Sequence, residues 1–283
     1  MFEAVVHGIF LLLGLITVGC VLLITVYLII SGIPAIQKIG LVPFLTGKVW
    51  SSTSAEPKYG ILPFILTSVY GTAGAIVLGV PIGFLTAVYL SKVAPKKVRT
   101  VLEAAVSLLA GIPSVVYGLV GMLVLVPAIR KTFHLPDGAS LLAAIIVLAV
   151  MILPSIIKVS VTALEAVPHE YEDASLALGA TEVETYFRVS VPAAKSGIAA
   201  AVVLGVGRAI GETMAVIMVA GNQARIPTSI LKGVRTMTAN IVIEMGYATD
   251  FHREALIATG VVLFIFILII NLLFSILKRK AVD

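Results

Sequence analysis

Long uncharged runs divide the chain. They extend from Gly8 to Gln37, Tyr59 to Ser91, Ala104 to Ile129, Gly138 to Ile157 and Ala255 to Leu277. Each contains at least the roughly 20 residues that a helix needs to cross ~30 Å of hydrocarbon. Five such runs in one chain exclude a soluble core. They predict an all-α membrane protein with helices at about 8–30, 63–91, 101–129, 139–165, 196–221 and 255–278, the fifth carrying two ionisable residues. Residues 1–60 divide off as a first transmembrane helix with an extracytoplasmic loop, and 61–283 as a core with five transmembrane helices.

Composition agrees: 59% of the 283 residues are hydrophobic and 12% charged, about half the charge usual in a soluble domain. The first run is too long and too evenly apolar for a cleaved signal peptide, so it reads as the first span. Prolines 81, 113, 127 and 154 fall in or at the ends of spans, where packed neighbours can satisfy the carbonyls that proline frees. Glycines 71, 74, 79, 83, 111, 118 and 121 let helices approach closely, which predicts a packed bundle. Cys20 lies inside a span and has no disulfide partner in the chain.

Charge placement sets the expected orientation. Lys92, Lys96, Lys97 and Arg99 follow the second span, and Lys278, Arg279 and Lys280 end the last, which puts both termini in the cytoplasm by the positive-inside tendency. The net charge of +5 sits at span ends, where anionic lipid headgroups account for it, so no nucleic-acid partner is implied. On the outer side, 38–60 reads as an exposed loop containing Trp50. In 222–254, Ile230, Val234, Met237, Ile241 and Met245 recur at helical spacing and predict a short helix against the bundle.

Two stretches carry chemistry. The cytoplasmic loop Pro168-His169-Glu170-Tyr171-Glu172-Asp173-Ala174-Ser175-Leu176-Ala177-Leu178-Gly179-Ala180-Thr181 is too long for a tight turn. A short helix ending at Gly179, with a second opening near Thr181, fits it. By composition it is either a solvated loop or a helix presented to a cytoplasmic partner. In the fifth span, Arg208 lies near the expected midplane, where an arginine costs at least ~2.5–3.5 kcal/mol on insertion scales. Glu212 is at i+4, within reach of an ion pair, and Gly207 and Gly211 offer a surface for a neighbouring helix. The pair is either an internal salt bridge pinning two helices or part of a path, since a guanidinium fork matches an oxyanion.

The loop resembles the cytoplasmic motif of ABC-importer permeases: E-A-A, three residues, G, nine residues, I-x-L-P. Here it reads Asp173-Ala174-Ser175, then Gly179, then Val189-Ser190-Val191-Pro192 at the same spacing. Arg208-Ala209-Ile210-Gly211-Glu212-Thr213-Met214-Ala215-Val216 is similar to the signature of phosphate ABC-transporter permeases of the PstC type. Tyr59 to Phe64 and Leu109 to Gly118 extend the likeness.

The resemblance implies a type I, MetI-like bundle of six spans in a bacterial inner membrane. Its loop, with Glu172, Asp173, Ala174, Ser175, Leu178, Gly179, Ala180 and Pro192, would form a coupling helix docked on an ATP-binding cassette dimer. Arg208, Glu212 and Thr213 would line the anion path. The other implied partners are a second, PstA-like permease and an extracytoplasmic phosphate-binding protein. No cofactor is expected on this chain, ATP and Mg being held by the ATPase. A permease for molybdate or sulfate, or an ion-coupled secondary transporter using Arg208 and Glu212 as a proton relay, are the alternatives.

No G-x-x-x-x-G-K-[ST] is present, since the stretch from Gly40 to Lys48 has the wrong spacing and continues with Val49. No zinc or nucleophile-elbow motif occurs. His7, His134, His169 and His252 are scattered near span ends, which disfavours a membrane enzyme and predicts no metal site.

Overall fold

The apolar runs all become helices, and the chain is built around the one nearest its middle. The computed structural model describes residues 2–282. Helix α1 (Phe2–Ile39) leads into α2 (Leu41–Thr46) and a small antiparallel hairpin of β1 (Trp50–Ser51) and β2 (Lys58–Tyr59), with Trp50 opposite Tyr59. Helix α3 (Leu62–Val88) ends in a π-helical turn over Tyr89–Val93. Then come α4 (Lys96–Gly111), α5 (Ser114–Val120), a second π-helical turn (Gly121–Leu125), α6 (Val126–Thr132) and α7 (Leu141–Glu165). The loop after α7 holds α8 (His169–Ala177) and α9 (Glu182–Thr185), followed by a third π-helical turn (Tyr186–Ser190) and α10 (Val191–Ala193). Helices α11 (Lys195–Gly211), α12 (Met214–Val219), α13 (Met237–Met245) and α14 (Asp250–Val282) complete the chain.

Among the described residues, five helical segments are long and apolar enough to cross a membrane: Val6–Ile39, Leu62–Val93, Ser114–Thr132, Leu141–Glu165 and Asp250–Leu273. A sixth is obtained if Glu182–Ala193 and Lys195–Gly211, bent by 73°, form one span. The third predicted span is shorter than expected. Proline 113 cannot donate a backbone hydrogen bond and drives Ile112 into an extended conformation (ψ 127°), so the helix breaks there. The Tyr117 hydroxyl donates to the freed Leu109 carbonyl at 2.7 Å. The preceding α4, which opens on Lys96, Lys97 and Arg99, is not among the apolar spans.

Helix α7 is the core. Of its most apolar window 61% is buried, against none for α1, so α1 is peripheral. Small residues set the contact with α3. A Cβ on Gly74, Gly79 or Gly83 would lie 2.6, 2.8 and 2.9 Å from Ile145, Ile152 and Ile156 of α7. Gly118 similarly admits the backbone of Ala215, and Gly121 admits Val219 and Val147. Gly111 meets nothing and takes no part in this packing.

The end of the bundle away from α8 differs from expectation in two respects. The 38–60 segment is not an exposed loop throughout: Trp50 is 6% exposed and packs edge-on against Tyr59 and Phe64. Residues 220–236 fold over the start of α7, where the amides of Ser140, Leu141 and Leu142 donate to the carbonyls of Val219, Lys232 and Ile230. The predicted short helix forms only over Met237–Met245. Ile230 and Val234 lie in the irregular segment before it, where Val234 bridges Gly221.

Candidate functional site

The fifth predicted span ends early, and this rearranges the residues it was expected to align. Helix α11 stops at Gly211, and Glu212 adopts an extended backbone (φ −68°, ψ 133°). The i+4 geometry between Arg208 and Glu212 is lost, and no ion pair joins them among the described residues. The Glu212 carboxylate accepts instead from the Ala215 amide at 3.1 Å, satisfying an orphan donor at the start of α12. Its carbonyl accepts from the Thr238 hydroxyl at 3.1 Å, which ties the break to α13. Thr213 donates to the Gly211 carbonyl across the break.

Arg208 remains half-buried on the last turn of α11, with Nη1 3.4 Å from the Ser155 hydroxyl of α7. Ser155 was not expected; its position directly after Pro154 is the only sign of it in the sequence. The glycines beside Arg208 also behave differently from expectation. Gly205 packs on Ile156, whereas Gly207 and Gly211 meet nothing within 4 Å. With Leu204 and Met214 exposed, this side of the α11–α12 break is an open face of the chain. Behind the break, a cavity of about 10 Å³ is lined by the hydroxyl residues Thr67, Ser68, Thr72 and Thr236 and by Glu212. Roughly one water fits such a volume.

The second site is the α8 loop. Helix α8 ends as expected: Gly179 takes a left-handed backbone (φ 87°), the Gly179 amide donates to Leu176 and the Ala180 amide to Ser175. This is a Schellman cap. Thr181 then opens α9 with a reciprocal capping box to Glu184. Ser175 is hydrogen-bonded to Thr185 across the two helices at 2.9 Å. Asp173, Ala174 and Pro192 are exposed, and Leu178 is 90% exposed. Tyr171, Leu176, Val183 and Phe187 of the same loop are exposed like Leu178, as are Glu170, Asp173, Glu182 and Glu184. These acids distinguish the loop from the lipid-facing surfaces.

Glu172 points the other way. Its carboxylate meets the Lys92 ammonium at 2.5 Å and accepts from the Ser190 hydroxyl at 2.6 Å, with Lys92 only 6% exposed. Burial alone would raise the Glu172 carboxyl, but Lys92 and Ser190 outweigh it and hold it below the usual carboxylate value. Lys92, in the turn that ends α3, and Ser190 were not anticipated as partners of the loop. The sequence offers only that Lys92 is the first charge after the second span. Arg99 adds a further tie, from α4 to Glu165 at the end of α7.

At the opposite end, Glu244 of α13 is 4% exposed and accepts from Trp50 Nε1 (2.9 Å), Ser52 Oγ (3.0 Å) and Arg235 Nη1 (2.7 Å). His252 Nε2 lies 2.8 Å from it. Burial pushes this carboxyl up, and the four partners more than reverse it, leaving it below the ordinary value. The cluster fastens the β1–β2 hairpin to α13 and α14. His252 therefore has a structural partner, and no group of three potential metal ligands occurs among the described residues.

An apolar bundle with a polar, capped helical loop at one end and a helix broken at Glu212 defines an integral membrane protein. The fold matches solved ABC importers. Its likeness to a chain of the inward-facing MetNI methionine ABC transporter has a TM-score of 0.62 at 20% identity and covers 78% of this chain and 97% of that one. Residues 79–282 match the family described as binding-protein-dependent transport system inner membrane component, and the chain belongs to that family. It is 40% identical to the probable ABC transporter permease protein YqgH of Bacillus subtilis, over 94% of this chain and 88% of that protein. It is 36% identical to the phosphate transport system permease protein PstC of Mesorhizobium japonicum (78% and 73% covered) and 31% identical to PstC of Haemophilus influenzae (91% and 87% covered).

Proposed function

We propose that this chain is the PstC-type permease subunit of an ATP-driven phosphate importer, with Arg208, Glu212 and Thr213 on the anion path. The observation that carries the reading is Arg208. A guanidinium half-buried at a helix break, on a face its own chain leaves open, with only a long contact to Ser155 among the described residues, keeps donors free for an oxyanion. A second, PstA-like permease would cover that face. Glu212 caps α12 and so holds the break in place. The PstC likeness, at 30–36% identity, supports phosphate as the anion.

In this reading α8 is the coupling helix, and the loop's exposed residues, Leu178 among them, dock on an ATP-binding cassette dimer that holds ATP and Mg. The end with Glu244 faces outward to a phosphate-binding protein, and both termini are cytoplasmic. ATP binding and hydrolysis in the partner would displace α8, and the Lys92–Glu172 pair would carry that displacement into α3.

The test is labelled-phosphate uptake in membranes containing this chain and its permease partner, with and without the ATPase. ATP-dependent uptake, competed by arsenate better than by sulfate, is expected. Uptake without ATPase would sink the importer reading and favour a secondary transporter, and better competition by sulfate or molybdate would reassign the anion.

A further inference from the structure

A cavity of about 730 Å³ opens at the end of α1 away from α8, lined by none of Arg208, Glu212 and Thr213. Three lysines from separate segments line it: Lys38 at the end of α1, Lys48 before β1 and Lys58 in β2. Tyr59 and Phe251 form part of its wall. Lys38 stands over the Phe251 ring, 5.2 Å from the centroid, and 3.7 Å from the Glu254 carboxylate. Lys48 and Lys58 make no ion pair among the described residues. Three exposed cations line one pocket against a single carboxylate, so its local charge is positive and favours an anion.

The position of the pocket identifies the kind of anion. Helix α1 is a peripheral span, packed against α14 and α2, with none of its apolar window buried in the chain. The pocket therefore lies where hydrocarbon gives way to headgroups. The short helix α2 beside it exposes Leu41 (55%) and Val42 (68%), and Val49 on the pocket wall is 53% exposed. Exposed apolar side chains next to a lysine-lined pocket at the end of a span suit an amphipathic ligand whose headgroup is anionic. A transported ion would gain nothing from that apolar rim.

We propose that this pocket binds the phosphate headgroup of an anionic membrane phospholipid, the lysines holding the phosphate and Leu41, Val42 and Val49 meeting the acyl chains. The bound lipid would clamp the hairpin and α2 to the end of α1. This site is separate from the anion path and does not depend on which solute is carried.

The test is native mass spectrometry of the purified chain with equal concentrations of phosphatidylglycerol and phosphatidylcholine, with and without millimolar inorganic phosphate. Retention of phosphatidylglycerol over phosphatidylcholine is expected. Lys38→Gln, Lys48→Gln and Lys58→Gln should each lower that preference about fivefold, equivalent to the ~1 kcal/mol that a basic residue gains near an anionic surface. Lys96→Gln with Lys97→Gln, at the α8 end, should leave it unchanged. Should Lys38→Gln melt early, the Lys48→Gln and Lys58→Gln variants decide, since neither lysine is ion-paired among the described residues. Equal retention of the two lipids, or a preference unaffected by the lysine changes, would overturn the proposal. Displacement of the lipid by inorganic phosphate would overturn it too, in favour of a site for the free ion.

Discussion

Arg208 and Lys92 are both basic residues at helix ends, yet their surroundings give them opposite roles. Lys92 is enclosed with Glu172 and Ser190, so its charge is consumed within the chain. Arg208 has, among the described residues, only Ser155 at 3.4 Å, which leaves most of its donors unassigned. Arg208→Lys should insert and fold normally, because the charge is kept. It should lower labelled-phosphate uptake by at least about tenfold, since even one hydrogen bond to a charged group contributes about 1.5–3 kcal/mol. Full uptake by that variant would return Arg208 to helix packing. Lys92→Met leaves a half-buried carboxylate unpaired and should cost about 3 kcal/mol or more in a melting experiment, whereas Lys92→Met combined with Glu172→Leu should recover most of it. A single variant that melts like the wild type would show that the pair contributes nothing.

Individual helices here are defined by where they stop. Helix α8 ends on Gly179, whose left-handed backbone and surrounding open space mean that a side chain would be strained without clashing. Gly179→Ala should therefore destabilise the cap by about 1–2 kcal/mol. It should raise amide exchange of Leu178 to Ala180 by about tenfold or more, while Gly179→Asn should do less harm, because asparagine tolerates that conformation. Unchanged exchange in the alanine variant would mean that α8 is held by its ion pair alone. The breaks at Pro113 and at Glu212–Thr213 illustrate what local sequence can and cannot announce. A proline names its own break, and Thr181 with Glu184 names a helix start. Nothing in Gly211-Glu212-Thr213 marks a helix end as clearly, because the interruption is held by Thr238 and by the Ala215 amide, the former remote in sequence.

At the scale of the whole molecule, ion-pair clusters at the two ends bracket an apolar middle. Glu172 at one end and Glu244 at the other both have carboxyls held below their ordinary value in the fold. A depressed folded-state value means stabilisation that is fully present above the unfolded carboxylate range, near pH ~4.3. It is lost as pH falls through the lower, folded-state value. The melting temperature should thus be flat between about pH 5 and 8 and drop below about pH 4. The Glu244→Gln protein should start lower and show a shallower acid limb. An identical acid limb in wild type and variant would remove Glu244 as a source of the pH dependence.

Sequence by itself determined the membrane class, the apolar runs from which the spans are built, the caps at Gly179 and Thr181 and the family, because each depends on residue type, period or short fixed spacing. Only the tertiary structure decided how the charged residues are used. It separated Arg208 from Glu212, turned Glu172 inward to Lys92, buried Trp50 over Glu244 and gathered Lys38, Lys48 and Lys58 around one pocket. A buried charge must find a partner. Glu172 and Glu244 find theirs on other elements, so that pairing is a property of the packed bundle and not of any one stretch of chain.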